Sequence, residues 1–228
     1  MPSNSKQIKI YLESGSKKTF AGSLDWPGWC RSGKDEDSAI HALFEYRLRY
    51  ERALKGVVAN FPAPEKESDF AIVERLMGDA TTDFGSPGQA PKADSKPMGA
   101  ADPARSGAIL NACWRAFDHA VKAAAGRELR KGPRGGGRTL AEIIRHLLDA
   151  DSAYLGKLGW AFQLDPKADP AAEFRRIRAA ILDGLAASAA GKLPAKGPRG
   201  GSRWTARYFV RRVAWHALDH AWEIEDRI

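Results

Sequence analysis

At 228 residues, 43% hydrophobic and 28% charged, the chain has ordinary globular composition and room for one large domain or two modest ones. The N-terminus MPSNSKQIKI carries no apolar targeting segment and no stretch approaches the ~18 consecutive apolar residues of a membrane helix, so the sequence reads as a soluble, cytoplasmic protein without a membrane partner. A net charge of +8 raises the question of nucleic acid, but residues 1–78 hold 12 Lys/Arg against 11 Asp/Glu, so the excess sits further along the chain.

The chain opens with two β-rich runs, IKIYLESG and KTFAGSLDW, joined by Ser14-Gly15-Ser16, which predicts a hairpin. A short third run, GWCRSG, leads into DEDSAIHALFEYRLRYERALKG, where Ala39, Leu43, Tyr46 or Arg47, Tyr50 and Leu54 recur at helical spacing after an acidic first turn. The run DFAIVERLM closes the unit as a strand, giving the order βββαβ over residues 6–77. The segment FAGSLDWPGWCRSGKDEDSAIHAL, with its corner Asp25-Trp26-Pro27-Gly28-Trp29, resembles HicB-like domains. That resemblance implies a reduced RNase-H-like fold used as an antitoxin or interaction module. His41 on the helix reads as a surface or interface residue.

Residues 78–103 are dense in Gly, Pro, Ala and Asp without apolar periodicity, and read as a linker or extended arm. Residues 104–228 then carry four helical patterns. The first, Ala104–Gly126, places Leu110, Cys113, Phe117 and Val121 on one stripe. The second, Thr139–Gly159, opens with the capping-box pattern Thr139-Leu-Ala-Glu142 and carries Ile143, Leu147, Leu148, Tyr154 and Leu155 as core. Asp169-Pro170 starts a third helix with Phe174, Ile177, Ile181 and Leu185 inward, ended by Gly191. The fourth, Thr205–Arg227, aligns Phe209, Val213, His216, His220 and Ile224. Four helices of about twenty residues without a strand pattern predict a bundle, so the fold class is α+β in two domains.

Two loops repeat: Lys131-Gly-Pro-Arg-Gly-Gly-Gly-Arg138 precedes the second of these helices and Lys196-Gly-Pro-Arg-Gly-Gly-Ser-Arg203 the fourth. With both at one end, the second and fourth helices run parallel and Lys131, Arg134, Arg138, Lys196, Arg199 and Arg203 gather on one rim. Gly and Pro also serve simply as turn formers there. Cys30 and Cys113 lie far apart with no CxxC spacing, which indicates neither a disulfide framework nor a thiolate metal site.

The chemistry concentrates in His216-Ala-Leu-Asp-His220. Residues four apart share a helix face, so two imidazoles converge on one ion, and flanking Val213 and Ile224 turn that face inward. Two neighbouring buried imidazoles each need a partner and cannot both be charged, difficulties that a shared divalent metal resolves. His146 on the second helix supplies the third ligand, and three His ligands leave a coordination position open. By helical angle, Glu223 faces the cavity as proton acceptor or as partner of an imidazole N–H, and Arg212 shares that side as a holder of an anionic substrate; these are the candidate catalytic residues. His119 and Asp219 are poorer candidates, and Trp215 and Trp222 read as helix-packing residues.

The runs ACWRAFDHA, GGRTLAEIIRHLLDAD and RRVAWHALDHAWEIEDR resemble DinB-like bundles, which place one ligand His on the second helix and an HxxxH pair on the fourth. The resemblance implies Zn2+ or Ni2+ at His146, His216 and His220, a homodimer, and in some members transfer reactions using low-molecular-weight thiols. A metal-dependent transferase or hydrolase-like enzyme, its open position taking a thiolate or a water and its substrate a small thiol or anion, is the leading expectation, and the resemblance favours the thiol. A non-catalytic regulatory protein with a structural metal is the alternative. Nucleic-acid binding has only charge behind it, with no helix-turn-helix and no aromatic platform.

Overall fold

The computed structural model describes residues 7–58, 60–131, 136–198 and 200–228. The chain divides into two compact units, Met1–Ser95 and Lys96–Ile228, each taken by itself below.

In the first unit β1 (Ile8–Ser14) and β2 (Thr19–Ser23) form the expected hairpin, closed by Gly15 N–H donating to Lys18 O at 2.9 Å. β3 (Cys30–Gly33) adds antiparallel to β2, and β4 (Phe70–Met77) lies parallel to β1, so the mixed sheet runs β3-β2-β1-β4. The predicted single helix is two: α1 (Glu36–Glu45), capped by Asp35, and α2 (Arg47–Leu54), which meet at Tyr46. The aromatic corner explains the local fold. Gly28 takes φ 95°, a left-handed conformation open to glycine, and sends Trp29 inward. There Trp29 donates from Nε1 to Leu43 O at 2.9 Å and packs against Tyr50, Phe61 and Phe70.

Residues 78–95 are not an extended arm. Asp79 caps a short helix, α3 (Ala80–Phe84), and the segment returns to β1 through Glu13. The fully buried Glu13 carboxylate accepts from Thr82 Oγ1 at 2.6 Å, Gly88 N at 2.7 Å and Gln89 N at 3.1 Å. A buried carboxylate needs several donors, and this one recruits a polar, Gly-rich segment whose composition alone reads as linker.

In the second unit, four long helices stand among the described residues: α4 (Asp102–Ala123), α5 (Leu140–Leu158), α6 (Pro170–Ala189) and α7 (Ala206–Arg227). The caps are those the sequence predicts. Thr139 and Glu142 form the capping box of α5, Gly159 ends it at φ 103°, and Asp169 caps α6 ahead of Pro170. Leu110, Cys113, Phe117, Ile143, Leu147, Ile177, Ile181 and Phe209 fill the core.

The helix directions overturn the shared rim. Asp118 of α4 pairs with Arg178, while Gly107 lies beside Leu182, so α4 and α6 are antiparallel. Gly184, late in α6, meets Leu158 at the end of α5, so α5 and α6 run the same way across a long connection. At the start of α7, Trp204 N–H donates to Lys157 O at 3.0 Å; at its end, Arg227 exchanges hydrogen bonds with Arg130. α7 is therefore antiparallel to α5, and the two basic loops sit at opposite ends, a 22-residue helix or about 33 Å apart. Arg134 and Arg199 lie outside the described residues. No helix among the described residues is long and apolar enough to cross a membrane.

Candidate metal centre

Antiparallel packing of α5 against α7 brings His146, His216 and His220 together. His216 Nε2 lies 3.1 Å from His146 Nε2 and 3.1 Å from His220 Nε2. His216 and His220 are each 5% exposed, whereas His146 is half-buried and lines a groove of about 580 Å³ along α5 with Glu142, Arg145 and Asp149. The site is thus closed on the α7 side and reached from solvent past His146.

The proton arrangement tests whether a cation fits. His220 Nδ1 lies 2.7 Å from Glu223 Oε2, and a proton donated there leaves the Nε2 lone pair facing the cluster. His216 Nε2 faces two nitrogens, and a single proton satisfies at most one of those contacts well. Among the described residues its buried Nδ1 has no hydrogen-bond partner. Adding protons is unfavourable: burial, then the neighbouring imidazoles, then Arg212 and Arg138 hold His216 well below the usual histidine range, and burial and Arg138 lower His146. A cation among three lone pairs removes the conflict. Bonds of ~2.0–2.1 Å to a tetrahedral ion keep ligand nitrogens about 3.3 Å apart, close to the 3.1 Å of the two His216 contacts, and all three ligand atoms lie within 4.8 Å of one another. The residues fit a divalent metal.

Over residues 109–224 the chain matches the family model of the DinB superfamily, a span of more than half its length that includes all three histidines. The chain belongs to the DinB superfamily. Comparison with curated proteins and with solved structures gave no match. Metal binding is thus supported from two sides, by the DinB membership and by the three-His cluster.

Around the triad of this DinB domain the structure sorts the other candidates. Glu223 is not free to face the cavity: besides His220 it accepts from Arg227 Nη1 at 2.7 Å, the geometry of an imidazole partner. Burial alone would raise its carboxyl, but the His220 bond and charge and those of Arg227 bring it below the usual range. Arg212 is 5% exposed and donates from Nη2 to the Tyr154 hydroxyl at 3.0 Å, its guanidinium 4.8 Å from the Trp215 ring centroid. Trp215 in turn stacks on His216 at 5.7 Å. His119 is exposed and outside the cluster, and His41, in the other unit, bonds Glu67 at 2.7 Å.

Sequence reasoning assigned Tyr154 to the core and left Arg227 and Arg138 without a role at the histidines. Arg227 was visible as the i+4 partner of Glu223. Tyr154 sits two helical turns beyond His146, a spacing that places it on the same side of α5.

Proposed function

We propose that the protein binds one divalent metal ion, zinc or nickel, through His146, His216 and His220, and acts as a metal-dependent transferase with a low-molecular-weight thiol. The observation that carries the reading is the convergence of three Nε2 atoms with no carboxylate among them and with one side open past His146. Three neutral imidazoles leave a coordination position for an exogenous group, unlike a closed structural site. When bound, the ion supplies Lewis acidity and favours the ionised form of a thiol or of water.

The chain's own residues prepare that site. Glu223, clamped by Arg227, fixes the His220 tautomer and ring orientation. Burial and neighbouring Arg138 and Arg212 keep His146 and His216 neutral and so available as ligands. The same positive surroundings favour an anionic exogenous ligand such as a thiolate. The HicB-like character of residues 6–77 and a homodimeric assembly remain part of this proposal. They are supported by the strand order of the first unit and by the resemblance of the bundle.

The test is metal content of protein purified without a His tag, followed by a thiol titration of the cobalt-substituted form. Near-stoichiometric metal and a new sulfur-to-metal charge-transfer band are expected. His146→Ala, His216→Ala and His220→Ala should each lose most of the metal while keeping helical circular dichroism. Full occupancy in two of the three variants would discard the triad, and metal closed to every thiol tried would leave the regulatory reading ahead.

A further inference from the structure

The geometry points to Tyr154 as the residue that binds the charged head of an anionic ligand on the His216 side of the centre, with Arg212 as its positioning residue. This rests on the metal reading above. Arg212 Nη2 donates to the Tyr154 hydroxyl oxygen at 3.0 Å, and a phenol carries one O–H donor besides its lone pairs. Among the described residues that O–H donates to no acceptor. A hydroxyl whose oxygen accepts from a guanidinium is polarised, so its proton forms a stronger bond to an anion. The ring is fixed in place: it stands edge-on to His216 with centroids 5.8 Å apart and packs on Trp204 at 5.1 Å. Arg212 is one turn before His216 on α7 and Tyr154 two turns after His146 on α5. The pair therefore forms one wall beside the histidines, with Tyr154, half-buried, as its more accessible member.

This arrangement changes the role read from the sequence for Arg212. Its guanidinium lies against the rings of Tyr154 and Trp215 and reaches the ligand's charge through the phenol. The ligand class that suits the wall is a small anion with an acceptor atom at its head, thiolate or carboxylate, in preference to a neutral donor.

Cobalt-loaded full-length protein, titrated with azide as a small anion and with imidazole as a neutral ligand, separates the possibilities by visible absorption. Tyr154→Phe removes the O–H and keeps the ring. It should weaken azide binding about tenfold or more, the loss of one charge-assisted hydrogen bond, while cobalt affinity, helical circular dichroism and imidazole affinity stay at wild-type values. Equal azide affinity in the two proteins overturns the role of Tyr154. So does a parallel fall for azide and imidazole, or loss of cobalt by the variant, since either marks a purely structural tyrosine. Failure of the unmodified protein to hold cobalt is a different result: it removes the metal reading itself, and this inference with it.

Discussion

Glu223 joins His220 to Arg227, lying 2.7 Å from the Nδ1 of the first and accepting at 2.7 Å from the Nη1 of the second. One carboxylate thus sets the tautomer of a ligand imidazole and is itself held by a cation four residues further along the same helix. Glu223→Gln keeps the shape but removes the charge. Metal affinity should fall about 10–100-fold, the usual effect of losing such an outer partner, with little change in helicity. Competition with a chromogenic chelator gives the number. An unchanged dissociation constant would mean that the pair only trims the surface of α7.

If the metal binds the native state and not the unfolded chain, its removal lowers stability by mass action. Chelation should lower Tm, and re-addition of zinc or nickel should restore it in proportion to the logarithm of free metal. In the metal-free protein the depressed His146 and His216 give a further signature. Their folded pKa values lie below the unfolded value of ~6.5, so the unfolded chain takes up more protons, and stability should fall as pH drops below about 6.5. Melts from pH 7.5 to 5, with and without metal, check both; a metal-free Tm flat over that range contradicts the second.

The opposite placement of the two basic loops separates their charges functionally. Arg138 lies near enough to depress His146 and His216, whereas Lys196 and Arg203 belong to the far end of α5. Arg138→Gln should reduce anion affinity at the centre a few-fold, with the wild-type advantage fading as salt screens charge over ~10 Å at 0.1 M. Arg203→Gln should have no such effect. Equal effects at the two ends would restore the single rim.

The first unit owes its extent to Glu13, so a fragment ending at residue 95 should fold and one ending at 78 should be much less stable. In the full chain Thr82→Val leaves Glu13 short of one of three donors and should cost about 1–3 kcal/mol. Chemical denaturation of both fragments and of the variant decides it. Equal stability of the two fragments returns residues 79–95 to a linker.

What the sequence made legible was whatever repeats at short range. The caps Thr139 and Asp169, the α5 and α7 stripes and the HxxxH spacing are all written within about two turns of helix, and the structure has them in place. The relations that escaped are long-range. Glu13 reaches Thr82 across 69 positions and Tyr154 reaches Arg212 across 58, and neither partner has a local pattern to announce it. The direction of α7 also escaped, because two similar loops suggest one end of a bundle unless the long connection between α5 and α6 is known to cross it. Tyr46 breaks the predicted single helix without a Gly or Pro to mark the place, its backbone at φ −85°, ψ 1°.

Asp151 offers the sharpest test of the bundle core. It is 1% exposed in the middle of α5, its Oδ1 has no hydrogen-bond partner among the described residues, and burial raises its carboxyl to about 8 against the pull of Arg178. The folded protein therefore holds this proton where the unfolded chain, with a pKa near 3.9, has released it. Between about pH 4 and 8 the native state binds more protons, so the contribution of Asp151 to stability falls by up to ~1.4 kcal/mol for each pH unit, and the slope ends once both states are ionised above about 8. Asp151→Asn keeps the shape without the ionisation. Relative to wild type its Tm should rise steadily from pH 5.5 to 8, and subtraction cancels the histidine effect common to both proteins. Melts of metal-free wild type and variant at half-unit intervals make the comparison. A Tm difference independent of pH would show that Asp151 is ionised in the folded state throughout, with Arg178 compensating its charge.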